Sequence, residues 1–244
     1  MSALTLLISC EHGGNAVPPS LAPLFVGQEE LLASHRGYDP GALSTARALA
    51  RVRDDVPVFA ATITRLVVDL NRSRGNPALY SAITRALPRN VRERLLADAY
   101  LPHREAVIKA VAALLSTGHT VVHVASHSFT PCLNAVVRRC DVGFLYDPGR
   151  PAEKAFCRHW MHELALLDPT LRLRCNSPYK GVSDGFPTAL RRRFGEKYLG
   201  MELEVNQRFV LTGETTLHRL NERLAASLKR TLASDAADVV SPDD

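Results

Sequence analysis

Cysteine pairs, long apolar runs and aromatic residues are all scarce in this chain, and each scarcity excludes a class of protein. The five cysteines, Cys10, Cys132, Cys140, Cys157 and Cys175, form no CxxC pair and no regular framework. That excludes a zinc finger and fits reduced thiols in a reducing compartment better than disulfides. No stretch reaches the eighteen or so uninterrupted apolar residues of a membrane span, and the opening Met1-Ser-Ala-Leu-Thr lacks a positive n-region. A soluble, cytoplasmic protein with no membrane partner is expected. Neither sign of charge dominates, since 30 basic residues face 25 acidic ones and the surplus is spread along the chain, so no nucleic-acid partner is expected. With 46% hydrophobic but only 6% aromatic residues, 244 residues bury one full core. No repeat or low-complexity linker divides the chain, so residues 1–233 are read as one domain. The acidic segment 234–244 is expected to fray.

Apolar runs bounded by Gly, Pro or polar residues predict strands at Leu4 to Cys10, Val56 to Thr62, Leu66 to Leu70, Thr120 to Ala125, Val142 to Tyr146 and Leu199 to Val205. Helical patterns fall between them, at Pro40 to Val52, Asn90 to Ala97, Arg104 to Ser116, Ala152 to Leu167 and about Glu214 to Leu232. The alternation predicts an α/β fold, a single domain with a mixed central sheet flanked by helices. Arg174 to Phe194, with Pro178, Gly181, Gly185 and Pro187, is expected to be a long functional loop.

Three strand ends carry chemistry. Leu4 to Cys10 runs into Glu11-His12-Gly13-Gly14-Asn15, Thr120 onward ends at His127, and Gly200 to Val205 carries Glu202 and Glu204. In an open α/β sheet the carboxyl ends of neighbouring strands meet at one edge, so imidazoles and carboxylates distant in sequence converge there, as a metal site requires. His12 is then either a ligand or a hydrogen-bonded turn residue. Asp39, followed by Pro40, is either a helix cap or a ligand, and His35 is an alternative donor. On the strand period of two, His123 lies deeper than His127, which makes His123 either a satisfied core histidine or a support behind the ligands, and His127 the ligand candidate. The same period puts Glu202, Glu204 and Asn206 on one face; two neighbouring carboxylates raise each other's proton affinity and suit a general base, though an exposed edge strand would show the same alternation.

Arginines group at Arg65, Arg72 and Arg74, at Arg138 and Arg139, and at Arg191 to Arg193. Their forks suit a small anionic substrate, though solvated helix faces would look the same. Asp69, within an apolar run between Arg65 and Arg72, either orients an arginine toward substrate or forms a structural pair.

Ser9 to Asn15, His35 to Gly41, Thr64 to Ser73, His127 to Pro131, Asp141 to Tyr146 and Leu203 to Gln207, in this order, resemble the N-formylglutamate amidohydrolase family, over roughly residues 4 to 230. The resemblance implies a zinc-carboxypeptidase-like fold and hydrolysis of the amide between a small acyl group and an amino acid. By its pattern His12 and His127 match metal-binding histidines, Glu204 the catalytic glutamate, and Arg65, Asn71 and Arg72 an element that holds the substrate carboxylate. Two positions depart from it. Asn15 stands where carboxypeptidase-like enzymes have a glutamate ligand, so Asp39 is taken as the third ligand with His35 in reserve, and His35 stands where an aspartate is usual. The chain is thus expected to form a divergent subgroup whose substrate need not be formylglutamate.

The expected enzyme holds one Zn²⁺ per chain on His12, Asp39 and His127, with an open position as in catalytic zinc sites, and uses Glu204 as general base. A non-catalytic binding protein for an acidic metabolite, using the same arginine-rich cleft, is the alternative. A cysteine amidase using Cys10 is a third reading.

Overall fold

A computed structural model describes residues 4–238. Its centre is a six-stranded sheet in the order β2-β1-β3-β8-β6-β7, built from β1 (Leu4–Cys10), β2 (Val58–Ala60), β3 (Thr120–Phe129), β6 (Val142–Leu145), β7 (Leu173–Cys175) and β8 (Tyr198–Asn206). The short β4 (Cys132–Leu133) and β5 (Val136–Val137) pair separately as a hairpin. Neighbours are parallel except β6, which runs antiparallel to β8. The sheet is therefore mixed, as the pattern of runs predicts.

The strand period of two assigns the faces. Leu6 and Ile8 of β1, Val122 and Val124 of β3, and Met201, Leu203 and Val205 of β8 join one cluster with Ala46 and Leu49 of the helix Ala42–Ala50, Trp160 of the helix Pro151–Leu167 and Leu224 of the helix Glu214–Asp238. On the opposite face Leu7, Val121 and Tyr198 meet Val107 and Val111 of the helix Leu101–Ser116, and Phe186 and Leu190 of the helix Phe186–Phe194. The second face is thinner, and past its apolar patch the carboxyl ends of β1, β3 and β8 are open to polar groups. The long C-terminal helix passes Leu232 and reaches Asp238; residues 239–244 of the segment expected to fray lie outside the described residues. No helix among the described residues is long and apolar enough to cross a membrane.

Three expectations are corrected. Leu66 to Leu70 is not a strand: Val67 N–H donates to Thr64 O, Asp69 N–H to Leu79 O and Arg72 N–H to Asp69 O, so the segment turns on itself. Its apolar residues are buried in a separate cluster with Leu21, Phe25, Leu79, Leu95 and Tyr100, and a short apolar run has no periodicity to separate this burial from that in a sheet. The second half of the expected loop 174–194 is the helix Phe186–Phe194. Finally, the helix expected from Pro40 starts at Ala42 and is capped by Gly41 at φ +83°, not by the Asp39 side chain. A Cβ at Gly41 would come within 2.7 Å of Val210, so backbone and packing both call for glycine there.

Candidate active site

β3 and β8 are in register with His127 opposite Glu204 and Ala125 opposite Glu202, so the parallel ladder lays the imidazole beside the carboxylates. His12 comes from the turn just beyond β1. Asp39 is tied to it through the backbone, Asp39 N–H donating to His12 O at 2.9 Å, and with the cap role taken by Gly41 its carboxylate is free to turn inward. The double turn at 66–72 brings up Arg65, Asp69, Asn71 and Arg72. His12, His127, Glu202, Glu204, Arg65, Asn71 and Arg72, with Ser128 and with Tyr179, Lys180, Ser183 and Asp184 of the 176–185 loop, line a cleft of about 200 Å³, and Asp39 and Asp69 lie behind this lining.

At its floor His12, Asp39 and His127, all buried, offer ligand atoms within 4.8 Å of one another. His127 Nδ1 is 2.9 Å and His12 Nδ1 3.4 Å from the same oxygen, Asp39 Oδ2. Each imidazole's other nitrogen faces a buried carboxylate: His12 Nε2 lies 2.8 Å from Asp69 Oδ1, and His127 Nε2 lies 3.2 Å from Glu11 Oε2. Outer carboxylates of this kind fix the tautomer and orientation of ligating histidines. In the tautomer that carries Nε2–H on both rings, the atoms facing inward are two nitrogen lone pairs and a carboxylate oxygen. Three acceptors so close are stable only around positive charge, which means protons on the imidazoles or one metal ion. The donor set fits a divalent cation.

The local electrostatics agree. Burial alone would raise the Asp39 carboxyl, but His12, His127 and Arg65 beside it hold it well below the usual carboxylate range. Burial alone would lower His127, but its contacts with Asp39 and Glu11 hold it well above the usual imidazole value. Without a metal the site therefore recruits a proton. Glu204 is different: burial pushes its carboxyl up to about 8, Asp39 and Glu202 add to the rise, and His127 and Arg65 oppose it. Its Oε2 is buried with no hydrogen-bond partner among the described residues, so one oxygen is free for a bound molecule.

The arginines are not equally available. Arg65 donates from Nε and Nη2 to Asp69 Oδ2 at 3.2 and 2.7 Å and from Nη1 to Asp39 Oδ1 at 3.3 Å. It is the structural partner of both carboxylates, with one quarter of its side chain open to the cleft. Asn71 is held at both ends, Nδ2–H donating to Glu202 Oε1 at 2.9 Å and Oδ1 accepting from Phe186 N–H at 2.6 Å. Arg72 donates from Nη1 to Asp184 O and keeps its other donors. Arg191 is buried against Glu153 and does not line the cleft, and Arg192 and Arg193 are exposed.

His123 is a satisfied core histidine, its ring nitrogens 2.7 Å from Ser9 Oγ and 2.6 Å from Tyr198 OH. His35 stands outside the His12–Asp39–His127 group, and Asn15 is exposed, donating to Leu32 O. Cys10 is fully buried on the opposite sheet face, and burial pushes its thiol well up, helped by Glu11 and Asp39. A thiol so buried and so weakly acidic is no nucleophile, which removes the cysteine amidase. Sequence reasoning missed Glu11, which also lies 3.3 Å from His103 Nε2; it marked 174–194 as a functional loop but named none of Tyr179, Lys180, Ser183 and Asp184, which that loop brings to the cleft.

Residues 4–211 match the family model described as N-formylglutamate amidohydrolase. The chain belongs to that family. Its fold is shared with a solved gene product of Agrobacterium tumefaciens, 24% identical, with a TM-score of 0.81 over 95% of this chain and 91% of the other. It is shared as well with an N-formylglutamate amidohydrolase from Ralstonia eutropha, 18% identical, with a TM-score of 0.72 over 98% of this chain and 96% of the other. No curated protein matches the chain. Membership of the family supports amide-bond hydrolysis as the chemistry of this cleft.

Proposed function

We propose that the chain is a zinc-dependent amidohydrolase that cleaves a small N-acyl amino acid, with N-formylglutamate the first candidate, into a carboxylic acid and a free amino acid. The observation that carries the reading is the convergence of His12 Nδ1, His127 Nδ1 and Asp39 Oδ2 beside a Glu204 oxygen with no other partner. A zinc ion held by those three residues supplies Lewis acidity toward an amide carbonyl and toward water.

The chain's own residues do the rest. Glu204, on the strand beside His127, takes the proton of the attacking water and returns it to the leaving amine. A carboxyl with elevated proton affinity is matched to that exchange near neutral pH. Asp69 and Glu11 hold the two imidazoles with their Nδ1 atoms inward. Arg65 fixes Asp39 and Asp69 and, with Arg72, presents positive charge to the substrate carboxylate, while Asn71 sets the position of Glu202 at the wall. The cleft, about 200 Å³, lies below the roughly 300–1,000 Å³ of drug-sized sites, which suits a small acylated amino acid.

The test is a panel of N-formyl, N-acetyl and longer N-acyl amino acids offered to zinc-loaded protein, with free amine as the readout. Release that a chelator abolishes and zinc restores is expected. Saturable binding of these compounds without turnover, unaffected by chelator, would instead establish the metabolite-binding protein.

A further inference from the structure

Glu202 stands two residues before Glu204 on the same face of β8 and lines the same cleft, yet general-base hydrolysis by Glu204 leaves it without a task. Its two oxygens are in different circumstances. Oε1 accepts from Asn71 Nδ2–H at 2.9 Å and lies 3.9 Å from His127 Nε2. Oε2 has no hydrogen bond or ion pair among the described residues, and no arginine or lysine there pairs with this carboxylate, although its side chain is only 13% exposed.

The engaged oxygen is held firmly. Asn71 Oδ1 accepts from Phe186 N–H at 2.6 Å, so the Asn71 amide cannot turn without breaking a bond at each end. A Cβ at Gly185 would lie 3.0 Å from Glu202 Oε1 and 3.4 Å from Asn71 Oδ1, so the backbone closes over the pair. Ala125, opposite Glu202 on β3, brings no polar group to it. The chain from Phe186 through Asn71 thus fixes one oxygen of Glu202 and leaves the other to whatever enters the cleft.

An N-acyl amino acid brings one group that needs such an acceptor. Its carboxylate is matched by Arg72, but the N–H of the scissile amide is a donor that gives up water on entering and weakens binding if left unpaired. The neighbouring acceptors are committed. Ser128 Oγ–H donates to Pro40 O and the oxygen accepts from Gln207 Nε2. Asp184 Oδ2 accepts from Ser73 N–H and Oγ–H, both at 3.1 Å, and from Asn76 Nδ2, and Tyr179 OH accepts from Arg138 Nη1.

We infer that Glu202 Oε2 accepts the N–H of the scissile amide, orients that bond for attack and keeps hold of the nitrogen as it leaves, with Asn71 as its positioning residue. This rests on the amidohydrolase reading. In the step, the water oxygen bonds to the acyl carbon and the C–N bond breaks with its electron pair going to nitrogen, which takes the water proton carried by Glu204. The acid keeps the second water hydrogen, and the amine departs with its original N–H still donated to Glu202.

The probes are N-formylglutamate and 2-formyloxyglutarate, the ester in which oxygen replaces the N–H. Intrinsic reactivity cancels when their kcat/KM ratio is compared between zinc-loaded proteins. Glu202→Ala is expected to lower the amide-to-ester ratio about 10- to 100-fold, the worth of a hydrogen bond to a charged group. Glu202→Gln, of the same size, should lower it at least as far, because Asn71 holds its Oε1 and an N–H then faces the substrate N–H. Asn71→Ala should lower it less. A purely structural Glu202 would slow both probes alike, so an unchanged ratio in Glu202→Ala and Glu202→Gln overturns the assignment. Calorimetric binding of glutamate against 2-hydroxyglutarate needs no turnover. A preference for glutamate that is lost in Glu202→Gln, in a protein that hydrolyses neither probe, would uphold Glu202 as the acceptor for the nitrogen and sink the hydrolase reading. A preference equal in wild type and variant, or absent from wild type, would sink Glu202.

Discussion

His123 and His127 stand four residues apart on one strand, on one face, both buried, yet their chemistry points in opposite directions. Burial pushes His123 down to about 4, because its partners are the hydroxyls of Ser9 and Tyr198. The same burial acts on His127 and is overcome by Asp39 and Glu11, which hold it well above its ordinary value. Burial does not decide what a histidine does in this sheet; the partner does. Mid-strand, where hydroxyls complete a neutral core, the imidazole is structural. At the strand end, where carboxylates crowd in, it joins a buried group that could hold a cation.

The largest expected effect comes from the strand-end region. Glu204→Gln should keep its zinc and lose about 10²- to 10⁴-fold in kcat, the usual worth of a general base. Steady-state rates with zinc content measured on the same sample check this, and full activity would remove Glu204 from the chemistry. Next is the outer support of His127. Glu11→Gln keeps the shape but removes the charge behind the imidazole, and should weaken zinc binding roughly 10- to 100-fold by competition against a calibrated chelator. Unchanged affinity would mean that the Glu11 contact is packing alone.

The smallest effect, and the one that sharpens the contrast most, comes from the core. His123→Ala should leave zinc affinity unchanged while lowering stability by about 2–4 kcal/mol, through the cavity and two stranded hydroxyls. The pH dependence of metal-free protein should also separate the two histidines. The depressed His123 contributes stability that is whole above its unfolded value of roughly 6.5 and is lost as pH falls through about 4. The raised His127 contributes stability that is whole below roughly 6.5 and is lost as pH climbs through its elevated value. Denaturation midpoints across pH 4 to 8 should therefore lose their acid limb in His123→Ala, by at most about 1.4 kcal/mol per pH unit.

The division between these histidines was legible in sequence because strands advertise themselves. The buried runs into His12, His127 and Glu204 set both the elements and, through the period of two, the shared face of His123 with His127 and of Glu202 with Glu204. Position at a strand end was enough to bring the three groups to one edge. Partners that act across long sequence separations left no such mark. Glu11 looks like any residue after a strand until His103 and His127 close on it. Asp69 and Arg65 were visible as a charged pair in an apolar run, but the run itself read as a strand because its burial comes from Leu79, Leu95 and Tyr100, which no local pattern announces. The loop 176–185 takes its shape from Arg191, Tyr146 and the Asp184 contacts with Ser73 and Asn76, so its place at the cleft is a tertiary fact. Arg191 was grouped with its two neighbours, their forks read either as suited to an anionic substrate or as a solvated helix face, and only its packing against Glu153 distinguishes it from them.

The central claim is that His12, Asp39 and His127 hold one metal ion through the atoms that face inward. Calorimetric titration of chelator-treated protein with zinc tests it most directly. The account predicts one tight site per chain in wild type and in His123→Ala, and its loss in His127→Ala. A tight site that persists in His127→Ala, or a wild type that takes up no zinc, would contradict it.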